Sequence, residues 1–149
     1  MRVMRRGFLI AGIAAALLSL LGAAAVADTL LGTNGPEQLQ GTPGPDQIYG
    51  EGGNDVLTAL GANDYIEAGP GDDEISAGGG LDLAIGGTGD DHVSGGPGRD
   101  SIVTGSGNDR IEAADGRSDR VRCGPGTDSV TADRIDVLSG CENVSRPIG

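Results

Sequence analysis

The sequence has no lysine and no tryptophan, and its 149 residues include one phenylalanine, two tyrosines, one histidine and two cysteines. With aromatic residues at 2%, a core assembled from large rings is excluded. The lack of lysine leaves no basic cluster over most of the chain. Nucleic acid is therefore excluded as a partner, because phosphate contacts need clustered Lys or Arg. Scarce histidine and cysteine rule out a repeated zinc or copper array. There is no Gly-x-Ser-x-Gly elbow, no His-Glu-x-x-His helix and no phosphate loop, so the chain reads as a non-enzyme. An arginine-only basic set fits a GC-rich bacterial genome.

One long hydrophobic run is present, at the start. Three arginines in MRVMRRG precede FLIAGIAAALLSLLGAAAV, which closes on Ala25-Val26-Ala27. This pattern predicts a secretory signal peptide over 1–27, cleaved between Ala27 and Asp28, and hence a secreted, extracellular protein with no membrane contact after cleavage. The alternative is an uncleaved anchor, since the run approaches the ~20 residues that span a bilayer. No cysteine lies near the junction, which excludes lipid attachment there. Residues 28–149 then hold seven arginines against 22 acids, a formal −15. The charge is uneven: 28–98 carry thirteen acids and no base, and 99–149 carry nine acids and seven arginines.

What the chain does have is glycine, 29 residues of it, in register. Nine uninterrupted nonapeptides run from Gly32 to Glu112, among them GTPGPDQIY, GGTGDDHVS and GGPGRDSIV. Position six is always acidic: Glu37, Asp46, Asp55, Asp64, Asp73, Asp82, Asp91, Asp100 and Asp109. Position eight is always apolar, from Leu39 to Ile111, and position four is glycine in all but Ala62. A tenth unit at 113–122 carries one extra residue, and CGPGTDSVT at 123–131 returns to the pattern. Glycines permit the backbone conformations of a tight turn, and the x-aliphatic-x tail is a short strand with its middle residue inward. Two nonapeptides close one coil, so strands alternate between two parallel sheets of a β-solenoid. Its core is one side chain thick, and carboxylates stacked ~4.8 Å apart repel. A cation between them is required, and no arginine or lysine lies between Asp28 and Arg99.

The turns offer oxygen only, from aspartate carboxylates and backbone carbonyls. Six to eight flexible oxygens suit calcium, whereas magnesium prefers a tight octahedron and keeps its water. Carboxylates two repeats apart fall on one side of the coil. Seven pairs follow: 46/64, 55/73, 64/82, 73/91, 82/100, 91/109 and 100/119, or roughly seven Ca2+ ions.

These nonapeptides resemble the repeats-in-toxin (RTX, hemolysin-type) calcium-binding family, over Gly32 to about Thr131. The resemblance implies an all-β, right-handed parallel β-roll of about eleven nonapeptide repeats with a C-terminal cap, ordered only when calcium binds. It implies metal ligation by Asp46, Asp55, Asp64, Asp73, Asp82, Asp91, Asp100 and Asp109, with carbonyls of residues such as Gly86, Thr88, Gly95, Pro97 and Gly105. Three departures stand out: Glu37 in place of Asp, the glycine-poor ALGANDYIE, and Ala84 at one core rung. The N-terminal leader also differs from the C-terminal export signal usual in the family.

Cys123 and Cys141 are 18 residues apart, one coil of the solenoid, so a disulfide between them is expected in a secreted chain. Residues 28–131 are read as the roll and 132–149 as a cap and tail, which keeps Ile135, Val137, Leu138 and Val144. His92 beside Asp90, Asp91 and Ser94 is a repeat position rather than a catalytic group. Asp72-Asp73 and Asp90-Asp91 are each a turn residue followed by a ligand position. Asn143-Val144-Ser145 matches a glycosylation acceptor, and Arg110, Arg117, Arg120 and Arg122 form a solvated patch. The function expected is a secreted protein that folds on binding calcium between Gly/Asp turns. The alternative is a cell-surface or matrix adhesion module in which calcium only rigidifies the scaffold.

Overall fold

A computed structural model describes residues 27–147. The leader expected over 1–27 lies outside the described residues apart from Ala27, and the cleavage expected before Asp28 is not addressed by the fold. Among the described residues there is no helix. The chain forms two seven-stranded parallel sheets. The first contains β1 (Thr29–Thr33), β3 (Gln47–Glu51), β5 (Tyr65–Pro70), β7 (Leu83–Thr88), β9 (Ser101–Ser106), β11 (Arg120–Arg122) and β13 (Val137–Ser139), in that spatial order. The second contains β2 (Gln38–Gln40), β4 (Val56–Thr58), β6 (Glu74–Ser76), β8 (His92–Ser94), β10 (Arg110–Glu112), β12 (Ser129–Thr131) and β14 (Asn143–Ser145), again stacked in sequence order. Consecutive strands alternate between sheets, which is the parallel β-roll that the nine-residue period implies.

Register follows the repeat. Ile48 pairs with Ile66, Ile66 with Ala84, and Ala84 with Ile102. The extra residue of the tenth unit is absorbed in the turn at 113–119, because Ser101 still pairs with Arg120 and Ile102 with Val121, now nineteen residues on. The eleven repeats counted in the sequence are β2 to β12, and the stack carries three more strands: β1 ahead of them, β13 and β14 beyond. The count fell short because β1 precedes the first complete repeat and the last turns, 132–136 and 140–142, are shortened. Val137 to Ser139 nevertheless pair with β11, and Asn143 to Ser145 with β12.

The position-eight ladder is the core: Ile48, Leu57, Ile66, Val93, Ile102, Ile111 and Val121 are fully buried. A second inward row lies at position one, where Ala59, Ala68, Ala77, Thr104, Ala113, Cys123 and Ala132 are buried too. Strand alternation explains it, since positions eight and one are two residues apart across an outward position nine. Both ends of the stack are more open, with Leu31 38% and Val144 41% exposed.

Cys123 and Cys141 form a disulfide with Cα atoms 5.2 Å apart, tying the last two coils together. Closing a loop of this length is worth about 3 kcal/mol. Cys123→Ser is therefore expected to lower the thermal midpoint in calcium by on the order of 10 °C, read by circular dichroism. An unchanged midpoint would mean the last coils add nothing to the cooperative unit.

Candidate functional site

Each nonapeptide turn with aspartate at position six folds that side chain back inside the coil. Asp46, Asp55, Asp64, Asp73, Asp82, Asp91, Asp100 and Asp109 are all buried, none more than 4% exposed. They form two ladders, one along each side of the roll. On one side the backbone N–H of Asp28 donates to Asp46 Oδ1, Asp46 to Asp64, Asp64 to Asp82, Asp82 to Asp100, Asp100 to Asp119 and Asp119 to Asp136, at 2.7–3.0 Å. On the other side Glu37 donates to Asp55, Asp55 to Asp73, Asp73 to Asp91, Asp91 to Asp109 and Asp109 to Asp128, at 2.8–3.0 Å. The Asp128 N–H ends that ladder on Glu142 Oε2 at 3.0 Å. Glu37 turns its own carboxylate back to the N–H of Thr33.

Only one oxygen of each carboxylate is used in this way. The Oδ2 atoms of Asp55, Asp64, Asp73, Asp82, Asp91, Asp100, Asp109, Asp119 and Asp128 are buried without a hydrogen-bond partner. A buried carboxylate oxygen left alone is costly, and the carboxyl groups register this. Burial pushes Asp91 up to about 7 and Asp82, Asp100 and Asp119 up to about 6, against the opposing effect of the backbone N–H each accepts. The neighbouring carboxylate of the ladder raises each further. Asp55, Asp64, Asp73 and Asp128 are raised for the same first reason.

Backbone carbonyls crowd the same space. A methyl group built on Gly86 would lie 2.3 Å from Asp91 Oδ2 and 2.7 Å from the carbonyl oxygen of Thr104 in the next coil. The same holds at Gly50, 2.7 Å from Asp55 Oδ2 and 2.5 Å from the Ala68 carbonyl. Among the described residues no three His, Cys, Asp or Glu side chains converge as a metal cluster. A cation here would take at most two carboxylates and fill its shell from carbonyls, a donor set that is all hard oxygen and suits calcium. Thr88 and Pro97 already accept the N–H of Gly71 and Gly80, at 2.8 and 3.1 Å, and a carbonyl keeps a second lone pair. Gly86 and Gly95 hold position one of their repeats. Gly105 holds position two, paired with Gly87, so the position-one residue of its coil is the buried Thr104.

The sequence pairs 46/64, 55/73, 64/82, 73/91, 82/100, 91/109 and 100/119 are all adjacent in these ladders. The structure adds Asp128 and Asp136 as rungs, with Glu142 as a terminator. Asp128 was visible at position six of CGPGTDSVT. Asp136 and Glu142 were hidden because their turns are short.

His92 sits elsewhere, on the outer face of β8, with Nε2 3.5 Å from Glu112 Oε1. Its chain neighbour Asp91 points into the coil, so Ser94, His92 and Asp91 do not share a face. Glu112 also pairs with Arg110 at 3.2 Å, which holds its carboxyl below the usual value.

No curated protein and no solved structure matches the chain. The family model of the RTX calcium-binding nonapeptide repeat, four copies long, matches residues 31–66, 54–84 and 85–119. Those segments contain the stacked aspartate turns, and they span more than half of the sequence. The chain belongs to the RTX calcium-binding nonapeptide repeat family.

Proposed function

We propose that this is a secreted, non-enzymatic protein whose roll folds when calcium enters the turns between same-side aspartates. The observation that carries this reading is the pair of carboxylate ladders, in which nine buried Oδ2 atoms lack a partner. A cation shared by successive rungs removes the unmet desolvation cost and the repulsion between rungs together. The ligands are Asp46, Asp55, Asp64, Asp73, Asp82, Asp91, Asp100 and Asp109, joined by Asp119 and Asp128. Carbonyls at the first and third positions of the turns, such as those of Gly86, Thr88, Gly95 and Pro97, complete each shell. About seven ions fill the roll, with extracellular-type affinities near 10⁻⁴–10⁻³ M each. One ion at ten times its dissociation constant adds only ~1.4 kcal/mol, so folding depends on many ions and is cooperative. The leader delivers the chain to a calcium-rich medium. Cleavage before Asp28 also frees an α-ammonium at the atom that lies 2.8 Å from Asp46 Oδ1, where a positive charge is favoured.

Asp91→Asn tests this with two opposite signs. Asparagine keeps the Oδ1 acceptor for the Asp73 N–H and removes the buried charge. In chelator the variant is expected to be at least as ordered as the parent. In calcium its folding midpoint is expected to shift several-fold to higher metal concentration. A variant with an unchanged calcium midpoint would contradict ligation by this ladder.

A further inference from the structure

The two outer faces of the roll differ. Outward positions on the second sheet are polar, among them Glu74, Ser76, His92, Ser94 and Arg110, with Val56 as the apolar residue. The first sheet presents Tyr49, Tyr65, Leu83, Ile85 and Val103 on β3, β5, β7 and β9, all partly exposed, with Gln47, Glu67 and Ser101 set among them. The rings of Tyr49 and Tyr65 lie 5.5 Å apart, and the Tyr65 hydroxyl donates to Glu67 Oε2 at 2.7 Å. That bond pushes the phenol up to about 12, so the ring stays neutral. A patch of apolar side chains and tyrosines on one sheet face, with polar residues among them, has the make-up of an interface.

From this asymmetry we infer that the first sheet is the contact face of a two-fold dimer, in which a second copy of this chain packs on it antiparallel. The charge pattern chooses this occupant and orientation. β7, with Leu83 and Ile85 both outward, is the middle strand of the seven. On this face the cations are Arg120 and Arg122, both on β11, two strands to one side of β7. The anions, Glu67 on β5 and Glu51 at the end of β3, lie on the other side. A two-fold axis through β7 sets β11 of one copy over β3 of the other. Arg120 and Arg122 then meet Tyr49 and the acidic half, a cation–π and ion-pair match. Stacking in the same direction would instead set arginine on arginine. Five residues of β3, six each of β5, β7 and β9 and three of β11, at ~3.3 Å per residue and ~4.8 Å between strands, give roughly 410 Å² per copy. The pair buries about 800 Å², below the ~1,000 Å² of a stable specific interface, so the dimer is weak and reversible.

The test is sedimentation velocity in saturating calcium on residues 28–149, which hold every strand of the fold, at concentrations up to about 1 mM. A monomer–dimer equilibrium is expected. Ile85→Glu on the face is expected to leave a monomer with unchanged far-UV circular dichroism, and Thr58→Glu on the opposite sheet to leave the dimer intact. The double variant Arg120→Glu/Arg122→Glu touches only exposed side chains and is expected to weaken the dimer at least tenfold. A monomer at every concentration overturns the inference. So does a dimer that survives both the Ile85 and the arginine variants, or one that Thr58→Glu disrupts.

Discussion

Replacing Gly107 by alanine is expected to prevent the roll from forming, even in saturating calcium. Gly107 has φ +146°, and a methyl group there would lie 1.8 Å from the carbonyl oxygen of Gly89 and 2.5 Å from its carbon. Both atoms are backbone of the coil below, so no side chain can rotate away. Relief would need the coils to separate, but the spacing is held by ladder hydrogen bonds. Among them are Gly89 N–H to the Ser106 carbonyl at 2.9 Å and Asn108 N–H to Asp90 Oδ1 at 2.7 Å. Losing those bonds and forcing an unfavourable backbone angle together cost more than ~3 kcal/mol. Gly116 is the matched control, because it also has a positive φ, +84°, yet nothing lies within 4 Å of its methyl position. Gly116→Ala is expected to cost only about 1 kcal/mol. Far-UV circular dichroism of both variants in calcium, with a denaturant melt of Gly116→Ala, checks this, and a Gly107→Ala roll that folds as well as Gly116→Ala would mean the coils are not in contact as described.

Acidification in chelator is expected to order the protein, the reverse of ordinary acid denaturation. Asp91 is pushed up to about 7 and Asp82, Asp100 and Asp119 to about 6, from an ordinary value of 3.8. Between roughly pH 4 and 7 the metal-free roll therefore binds more protons than the unfolded chain. Its stability rises as pH falls in that window. The contribution is complete below about pH 4 and is lost as pH rises through 6 to 7. Calcium acts with the opposite sign, because its ligands must be deprotonated, so its affinity falls as pH drops below about 7. Far-UV circular dichroism from pH 8 to 5, with chelator and with calcium, reads both trends. Loss of β signal on acidification in chelator would mean the carboxylates are not buried together.

Most of the fold was legible in the sequence because its grammar is translational. One nine-residue pattern fixes turn, strand and inward side chain, and its repetition fixes the register of every neighbouring strand. The aspartate ladders followed for the same reason, since residues eighteen apart must stack. Three things were less visible. The inward row at position one has no hydrophobic signature, being Gly, Ala, Thr or Cys. Strands β13 and β14 follow turns 132–136 and 140–142, shorter than the regular turn such as 59–64, so Asp136 and Glu142 do not fall in the frame. Strained turn positions were also hidden. Glu51, Leu60 and Ala62 take φ of +73°, +86° and +80° where other repeats use glycine, and only the stack around them requires it.

The central claim is that calcium between the aspartate ladders is what folds the chain. Far-UV circular dichroism of residues 28–149, begun in chelator near pH 7.5 and titrated separately with calcium and magnesium, tests it most directly. A steep coil-to-β transition near millimolar calcium, absent with magnesium, is the expected result. A β signal already complete in chelator, or an equal response to magnesium, would contradict it.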